Sequence, residues 1–287
     1  MTPLKKISVA CAAIAVVAML AGCSVTPTGP DLQNAPAPTF PEKSTMAKLE
    51  ERGSITIGTS FDKPLFGFDD GSGTPEGFDV EIGKIIASSL GIPEDKIVWK
   101  AVEPENRESA IKLQKVDLVV STYSITDARK LEVGFSGPYY TAAQSIMIRN
   151  DETAIKSRYD LSGRPVCSVT ATTSTDRIAS YGAKLVAKDT MAECVDLLRL
   201  GDVVAVAADN VIIAGVQSQN PDEFTTAGDV FGRDDYGIGL PRRDGEFRDF
   251  INVVLEESFA DGSYEAAWDR SAGTVLGYNQ PPAIKRY

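Results

Sequence analysis

The chain has 287 residues, 43% of them hydrophobic and 24% charged, long enough to fold as two lobes and too apolar to be disordered. With 40 acidic against 29 basic residues the net charge is −11, which argues against nucleic acid or an anionic surface as the main partner. Histidine is absent, and with it go Ser-His-Asp and Cys-His nucleophilic catalysis and every histidine-ligated metal site.

The chain opens on MTPLKKISVACAAIAVVAMLAGC, in which Lys5 and Lys6 precede an apolar run from Ile7 to Leu20. Such a run has the length of a secretory core and falls short of the ~20 residues of a membrane span, so residues 1–22 are expected to be an export signal. Cleavage before Cys23 removes two lysines and no acid, taking the charge from −11 to −13. Residues 23–53 are expected to form a tether: Ser24 to Pro41 is rich in Thr, Pro, Gly, Ala and Asn. A short helix over Lys43 to Arg52, with Met46 and Leu49 inward, ends it at Gly53.

Strand and helix patterns then alternate. Ile55 to Thr59 reads as a strand, Gly77 to Leu90 as a helix stopped by Gly91 and Pro93, and Ile97 to Val102 as a strand. Arg107 to Gln114 reads as a short helix. Next comes DLVVSTYSITDARKLEVGFSGPYY, Asp117 to Tyr140, read as a buried strand, a hydroxyl-rich loop and an aromatic-proline turn. Strands of open α/β sheets end at a ligand crevice, so Ser121, Thr122, Ser124, Thr126 and Arg129 are expected to arrive there together and to capture an anion. Gln144 to Arg149 is a further strand.

A second series repeats the pattern, with strands at Pro165 to Val169, Lys184 to Ala187, Val203 to Ala208 and Thr225 to Ala227. Helices lie between them at Ser174 to Tyr181, Met191 to Leu200 and Asn210 to Gln217. Alternation of this kind implies a parallel sheet covered by helices in each lobe. Tyr236 to Leu240 is a strand leading out, and the remainder is helical, with Phe247, Phe250, Ile251, Val254, Leu255 and Phe259 on one stripe. The two strand connections, 144 to 149 and 236 to 240, predict a hinge. The lobes are expected at 54–147 with 240–287, and at 148–239. With Cys11 in the signal and Cys23 at its end, Cys167 and Cys194 are left as one pair, expected to form a disulfide in an exported protein.

Several motifs carry a family resemblance. Leu20-Ala21-Gly22-Cys23 resembles the lipobox of bacterial lipoproteins, which implies that Cys23 is acylated and becomes the first mature residue. Gly77-Phe78-Asp79-Val80-Glu81-Ile82, with ITDAR, FSGPYY, VCSVTATTS, AVAADN and YGIGL, resembles the family 3 bacterial solute-binding proteins, the polar amino acid receptors of ABC importers. The likeness covers about residues 54 to 270 and is greatest to glutamate- and glutamine-binding lipoproteins of Gram-positive bacteria, some of which also carry paired cysteines. It implies an α/β, two-lobed periplasmic-binding-protein-like (type II) fold and a lipid-anchored receptor on the extracellular face of the membrane. Such a receptor is a monomer, serves a membrane ABC permease, and needs no cofactor and no metal.

The residue roles follow from that resemblance and from charge. A free α-amino acid presents one carboxylate and one ammonium, and burying either unpaired costs several kcal/mol. Arg129 falls where the family binds the α-carboxylate, with a planar fork suited to it. Thr122 and Ser124, seven and five residues earlier, match positions that supply hydroxyl and backbone N–H donors. Thr172 and Thr173 match the second-lobe loop whose amides reach the carboxylate at a helix start. Asp209 sits at a helix N-cap position, and in the family the acid there binds the ammonium. Arg107 corresponds to an arginine that acidic amino acid receptors use for the side-chain carboxylate. Where glutamate receptors commonly carry a lysine or arginine this chain has Ser60, and Lys63 can supply that cation from the same loop. Phe61 and Phe66 are expected as apolar walls or as core. Glutamate or aspartate, or else glutamine or asparagine, is the expected ligand. A lipoprotein sensor reporting to a membrane signalling partner, and a dehydratase-like enzyme on the same fold, are the other functions considered.

Overall fold

The computed structural model describes residues 39–287, so the expected signal peptide, Cys23 and the tether as far as residue 38 lie outside the described residues. Helix α1 (Thr45–Arg52) starts where Ser44 Oγ accepts from the Ala47 N–H and stops at Gly53 in the left-handed region, φ 65°. Strand β1 (Ile55–Thr59) follows, then a small hairpin, β2 (Asp62–Lys63) with β3 (Gly67–Phe68). Helix α2 (Phe78–Ser89) has no side-chain cap; instead the Phe78 and Asp79 N–H groups donate to Leu65 and Phe66 carbonyls. Gly77 permits this close approach, because a Cβ there would lie 2.5 Å from the Phe66 carbonyl and φ is 118°.

The first half continues with β4 (Ile97–Ala101), α3 (Arg107–Lys112), β5 (Leu118–Val119), a short α4 (Asp127–Lys130) and β6 (Gly134–Arg149). The second contains β7 (Pro165–Val169), α5 (Thr173–Ser180), β8 (Lys184–Lys188), α6 (Met191–Leu200), β9 (Ala205–Asp209), α7 (Asn210–Gln219) and β10 (Phe224–Thr226). The long strand β11 (Phe231–Leu240) returns to the first half, and α8 (Gly245–Asp261), α9 (Ser263–Arg270) and α10 (Gly273–Leu276) follow. The sheet order is β4-β1-β5-β11-β6-β9-β7-β8, with β10 beside β6. β1, β4 and β5 run parallel, as do β7, β8 and β9, while β6 and β11 join the two parallel halves through antiparallel pairing. β6 changes partner at Gln144, which is in register with Phe231 of β11 on one side and Asp209 of β9 on the other. Two α/β lobes are thus strung on one pair of long strands.

Where the sequence predicts an aromatic-proline turn, FSGPYY is instead the first half of β6. Pro138 is tolerated there because the pairing with β11 shifts register between Tyr236 and Ile238, leaving an irregular position that needs no ladder N–H. β11 also begins five residues before the expected Tyr236, since Gly232, Arg233, Asp234 and Asp235 hide its strand character. Past α10 the chain is not helical: the Lys285 N–H donates to the Gly137 carbonyl and the Tyr287 hydroxyl accepts from the Phe135 N–H, so the tail returns to β6. The predicted stripe is buried at Phe247, Ile251, Val254 and Leu255 and half-buried at Phe250 and Phe259. Among the described residues no helix is long and apolar enough to cross a membrane.

Cys167 on β7 and Cys194 on α6 form a disulfide with Cα atoms 5.4 Å apart, across a separation of 27 residues. A loop of that length is stabilised by roughly 3 kcal/mol through restriction of the unfolded chain. Replacing both cysteines by serine is expected to lower Tm by about 10 °C in calorimetry, at roughly 2–4 °C per kcal/mol for a domain of this size.

Candidate functional site

The chain ends of β5, β7 and β9 and the start of α6 enclose a cavity of about 410 Å³ of open space, mouth included. Lys63, Arg107, Thr122, Ser124 and Arg129 border it from the first half, and Thr172, Thr173 and Asp209 from the second. Eight of the predicted site residues therefore share one space. Ser60 and Phe61 do not border it. Ser60 is buried behind Lys63, its Oγ 2.7 Å from Lys63 Nζ and 2.6 Å from Ser121 Oγ. Phe61 lines a separate surface cleft with Pro64, Phe68 and Val195, and Phe66 is core, edge-on to Phe78, Tyr140, Tyr236 and Trp268. Of the two readings open for these aromatics, Phe66 takes the core one, while Phe61 faces the other cleft; Pro104, Met191 and Ile212 supply apolar lining to the cavity.

The charged side chains are held firmly. Arg107 is only 3% exposed, donates from Nε to the Pro104 carbonyl (3.1 Å) and from Nη1 to the Ser121 carbonyl (3.1 Å), and lies 4.2 Å over the Tyr123 ring. Among the described residues no acidic side chain lies within ion-pairing distance of it. Burial, and then the like charge of Arg129, pull its guanidinium down to about 10. Arg129 lies 5.1 Å from the same ring centroid and donates to the Ser124 carbonyl and, across the gap between the halves, to the Ala171 carbonyl, both at 2.7 Å. Lys63 is buried and pairs with Asp62 at 3.0 Å, and Asp62 also accepts from the Met191 N–H that starts α6 on the other half.

Asp209 occupies an N-cap position but makes no capping bond; its oxygens accept from Gln144 Nε2 and from the Tyr236 hydroxyl. Burial first, and then the nearby Asp234 carboxylate, raise it to about 7, against the pull of Tyr236, Arg177 and Gln144. Thr172 likewise caps no helix N–H, its hydroxyl donating to the Val169 carbonyl at 2.7 Å, so the first turn of α5 keeps its own N–H groups free for an anion. Ala171 sits at φ 58°, a strained setting for a residue other than glycine, and presents the carbonyl that Arg129 reaches.

Thr122 borders the cavity, but its N–H is already engaged, donating to Asp79 Oδ2 at 2.8 Å, while Asp79 Oδ1 accepts from the Tyr139 hydroxyl at 2.5 Å. Asp79 is wholly buried and raised to about 6 by that burial, opposed by the two donors. It ties the strained Thr122 backbone, φ 41°, to α2. The Gly77-Phe78-Asp79 motif is therefore a support for the loop, and its position after a glycine at a helix start was the signal for it.

Comparison with known proteins fits this geometry. The model of the bacterial extracellular solute-binding proteins, family 3, matches residues 55–273. The chain belongs to this family. It is 33% identical to the glutamate-binding protein GluB of Corynebacterium efficiens over 75% of this chain and 77% of that protein. It is 30% identical to the ABC transporter glutamine-binding protein GlnH of Bacillus subtilis over 93% of this chain and 97% of that one. A solved ancestral arginine-binding protein bound to glutamine superposes with a TM-score of 0.73 at 32% identity, covering 79% of this chain and 99% of that one. The two-lobed α/β architecture is that of the family.

Asp79→Ala leaves the Thr122 N–H and the Tyr139 hydroxyl buried without an acceptor. It is expected to destabilise this family 3 protein by about 2–4 kcal/mol in urea unfolding, at roughly 1–3 kcal/mol for each orphaned donor.

Proposed function

We propose that this protein is the lipid-anchored receptor of an ABC importer and that it captures a dicarboxylic amino acid, glutamate or aspartate, by closing its lobes. The observation that carries this reading is Arg107: a buried guanidinium without an acidic partner among the described residues, bordering the same cavity as a second arginine, a lysine and one carboxylate. Buried cations call for anions, and a dicarboxylic amino acid brings two. In this reading Arg129, with Ser124, Thr173 and the start of α5, takes the α-carboxylate, and Asp209 takes the ammonium. Arg107 and Lys63 take the side-chain carboxylate. Ser60 acts behind them, Thr122 stays at the cavity wall, and Phe61 has no ligand contact.

Ligand charge orders the candidates. Replacing glutamate by glutamine removes the negative side-chain charge from a cavity already rich in cations, and replacing it by arginine puts a positive charge in its place. The names of the relatives, glutamate- and glutamine-binding, support the first end of that series. The lobes we propose are 54–147 with 240–287, and 148–239, turning where β6 changes partner and β11 runs beside it. Closure is then favoured by contacts that only the closed form makes, such as Arg129 to Ala171 and Asp62 to the start of α6. Export and anchoring at Cys23 rest on the lipobox-like Leu20-Ala21-Gly22-Cys23.

A thermal-shift screen of the mature domain against the proteinogenic amino acids is expected to give the largest rise for glutamate or aspartate and none for arginine. Stabilisation by none of glutamate, aspartate, glutamine and asparagine would refute the reading. Calorimetry on Arg129→Ala is expected to show at least a 100-fold loss of affinity, with unchanged affinity removing its role. Lys63→Met is expected to weaken glutamate by about 10–100-fold and glutamine far less, in line with ~1.5–3 kcal/mol for a charged hydrogen bond. Equal loss for both ligands would take Lys63 out of side-chain recognition.

A further inference from the structure

Behind Asp209, away from the cavity lining, lies a polar cluster that ligand contact does not explain. Gln144 stands directly across the sheet from Asp209, on the residue where β6 changes partner. Its Nε2 donates both to Asp209 Oδ1 and, at 2.9 Å, to Asp234 Oδ2 on β11. One amide therefore bridges two buried carboxylates, each about 5% exposed. The Gln144 Oε1 is buried without a partner, and the amide keeps this orientation because the reverse would set an oxygen against two carboxylates. Asp234 is closed from its other side by Arg177 of α5, which donates from Nη1 to Oδ2 and from Nη2 to Oδ1, the latter at 3.0 Å. Room for that guanidinium comes from Gly232, at φ 67°, where a Cβ would sit 3.0 Å from Arg177 Cζ.

We propose that Gln144, Asp234 and Arg177 are positioning residues acting through Asp209: they aim its carboxylate and set the pH at which it is charged, so that capture of a ligand ammonium releases a proton. This rests on the ammonium-binding role proposed for Asp209. The charged and titratable groups facing Asp209 are Asp234 and Tyr236 from β11, Tyr140 from β6, Arg177 from α5, Arg107 from α3, and Lys63 and Arg129 across the cavity. Of these, Asp234 is the one close carboxylate, and Arg177 is the cation that tempers it. Two carboxylates on one amide resist being charged together, and burial adds to that resistance. A protonated Asp209 cannot pair with an ammonium. Binding therefore converts the Asp209 carboxylic acid to a carboxylate facing the ammonium, and the proton passes to solvent.

The sign follows from linkage. Asp209 is raised to about 7 before binding and is lowered once the ammonium is beside it. Affinity is then level above about pH 7 and falls about tenfold per pH unit below it, until the bound-state value is reached. Removing the neighbouring negative charge with Asp234→Asn moves this midpoint down. Removing the tempering cation with Arg177→Gln moves it up.

The test is a ¹³C-carboxyl NMR titration of Asp209 in the ligand-free protein, with calorimetric affinity for glutamate followed against pH. The expected result is a wild-type midpoint near 7, opposite shifts in Asp234→Asn and Arg177→Gln, and a midpoint restored by Arg177→Lys. A wild-type midpoint near 4 overturns the proposal without any variant. Unmoved midpoints, or a loss of affinity equal at every pH, mark the cluster as structural and also overturn it. Asp209→Asn separates the two levels: unchanged glutamate binding there removes the ammonium role, while the titration still decides whether the cluster sets the charge of Asp209.

Discussion

Lys63, Arg107 and Asp209 are charged groups held out of water around one cavity, with Arg129 at its edge, and burial penalises every one of them. The fold answers this by giving each group fixed partners. Arg107 is spread over the Tyr123 ring and hung from two carbonyls, and Asp209 is gripped by a hydroxyl and an amide. Such groups cannot relax to a better partner, so a ligand of complementary charge meets a site whose reorganisation is already done. The loop that carries Thr122 and Ser124 is anchored by the same logic, through a buried carboxylate on α2 that does not border the cavity.

The long strands β6 and β11 connect that electrostatic problem to the joint between the lobes. Asp209 is fastened to Gln144 on one and Tyr236 on the other, so the carboxylate at the edge of the second lobe is placed by the two strands that link the lobes. Two polar contacts cross the gap at the site, Arg129 to the Ala171 carbonyl and Asp62 to the first N–H of α6, and beside them Pro64 packs closely on Gly215 of α7. The polar crossings exchange readily with water, whereas the close packing at Pro64 holds the halves together.

Much of the fold was legible in the sequence. Strand β1, strand β7 and helix α6 fall on the predicted residues because their apolar periodicity and their punctuation agree: Gly53 before β1, the Thr190–Glu193 capping box and Gly201 around α6. The first half of β6 and the start of β11 were hidden because Pro138, Gly232, Asp234 and Asp235 are turn residues by local preference, and only pairing across the sheet makes them strand. The site was legible as far as side-chain charge and family position reach: Arg107, Arg129, Asp209, Thr172, Thr173 and Lys63 all border the cavity. The direction of Phe61 was not legible because it sits in the bend before β2, where spacing does not fix where a side chain points. Gln144, Asp234 and Arg177 were invisible for a different reason. They lie 33, 57 and 90 residues apart in pairs along the chain, and nothing local in the sequence joins them.

That last failure bears on how specificity is built. In the proposed reading the cations that meet the ligand are on loops and short elements of the first lobe, with Lys63 three positions from Ser60. The acid proposed for the ammonium is locked into the sheet, fastened to β6 and β11. A family built this way keeps its grip on the amino group while its side-chain pocket changes, which is consistent with relatives named for glutamate, glutamine and arginine on one architecture. In this chain the pocket end holds a buried arginine and a buried lysine, and in the proposed reading that pair, rather than the shared amino-group site, separates a dicarboxylic ligand from its amide.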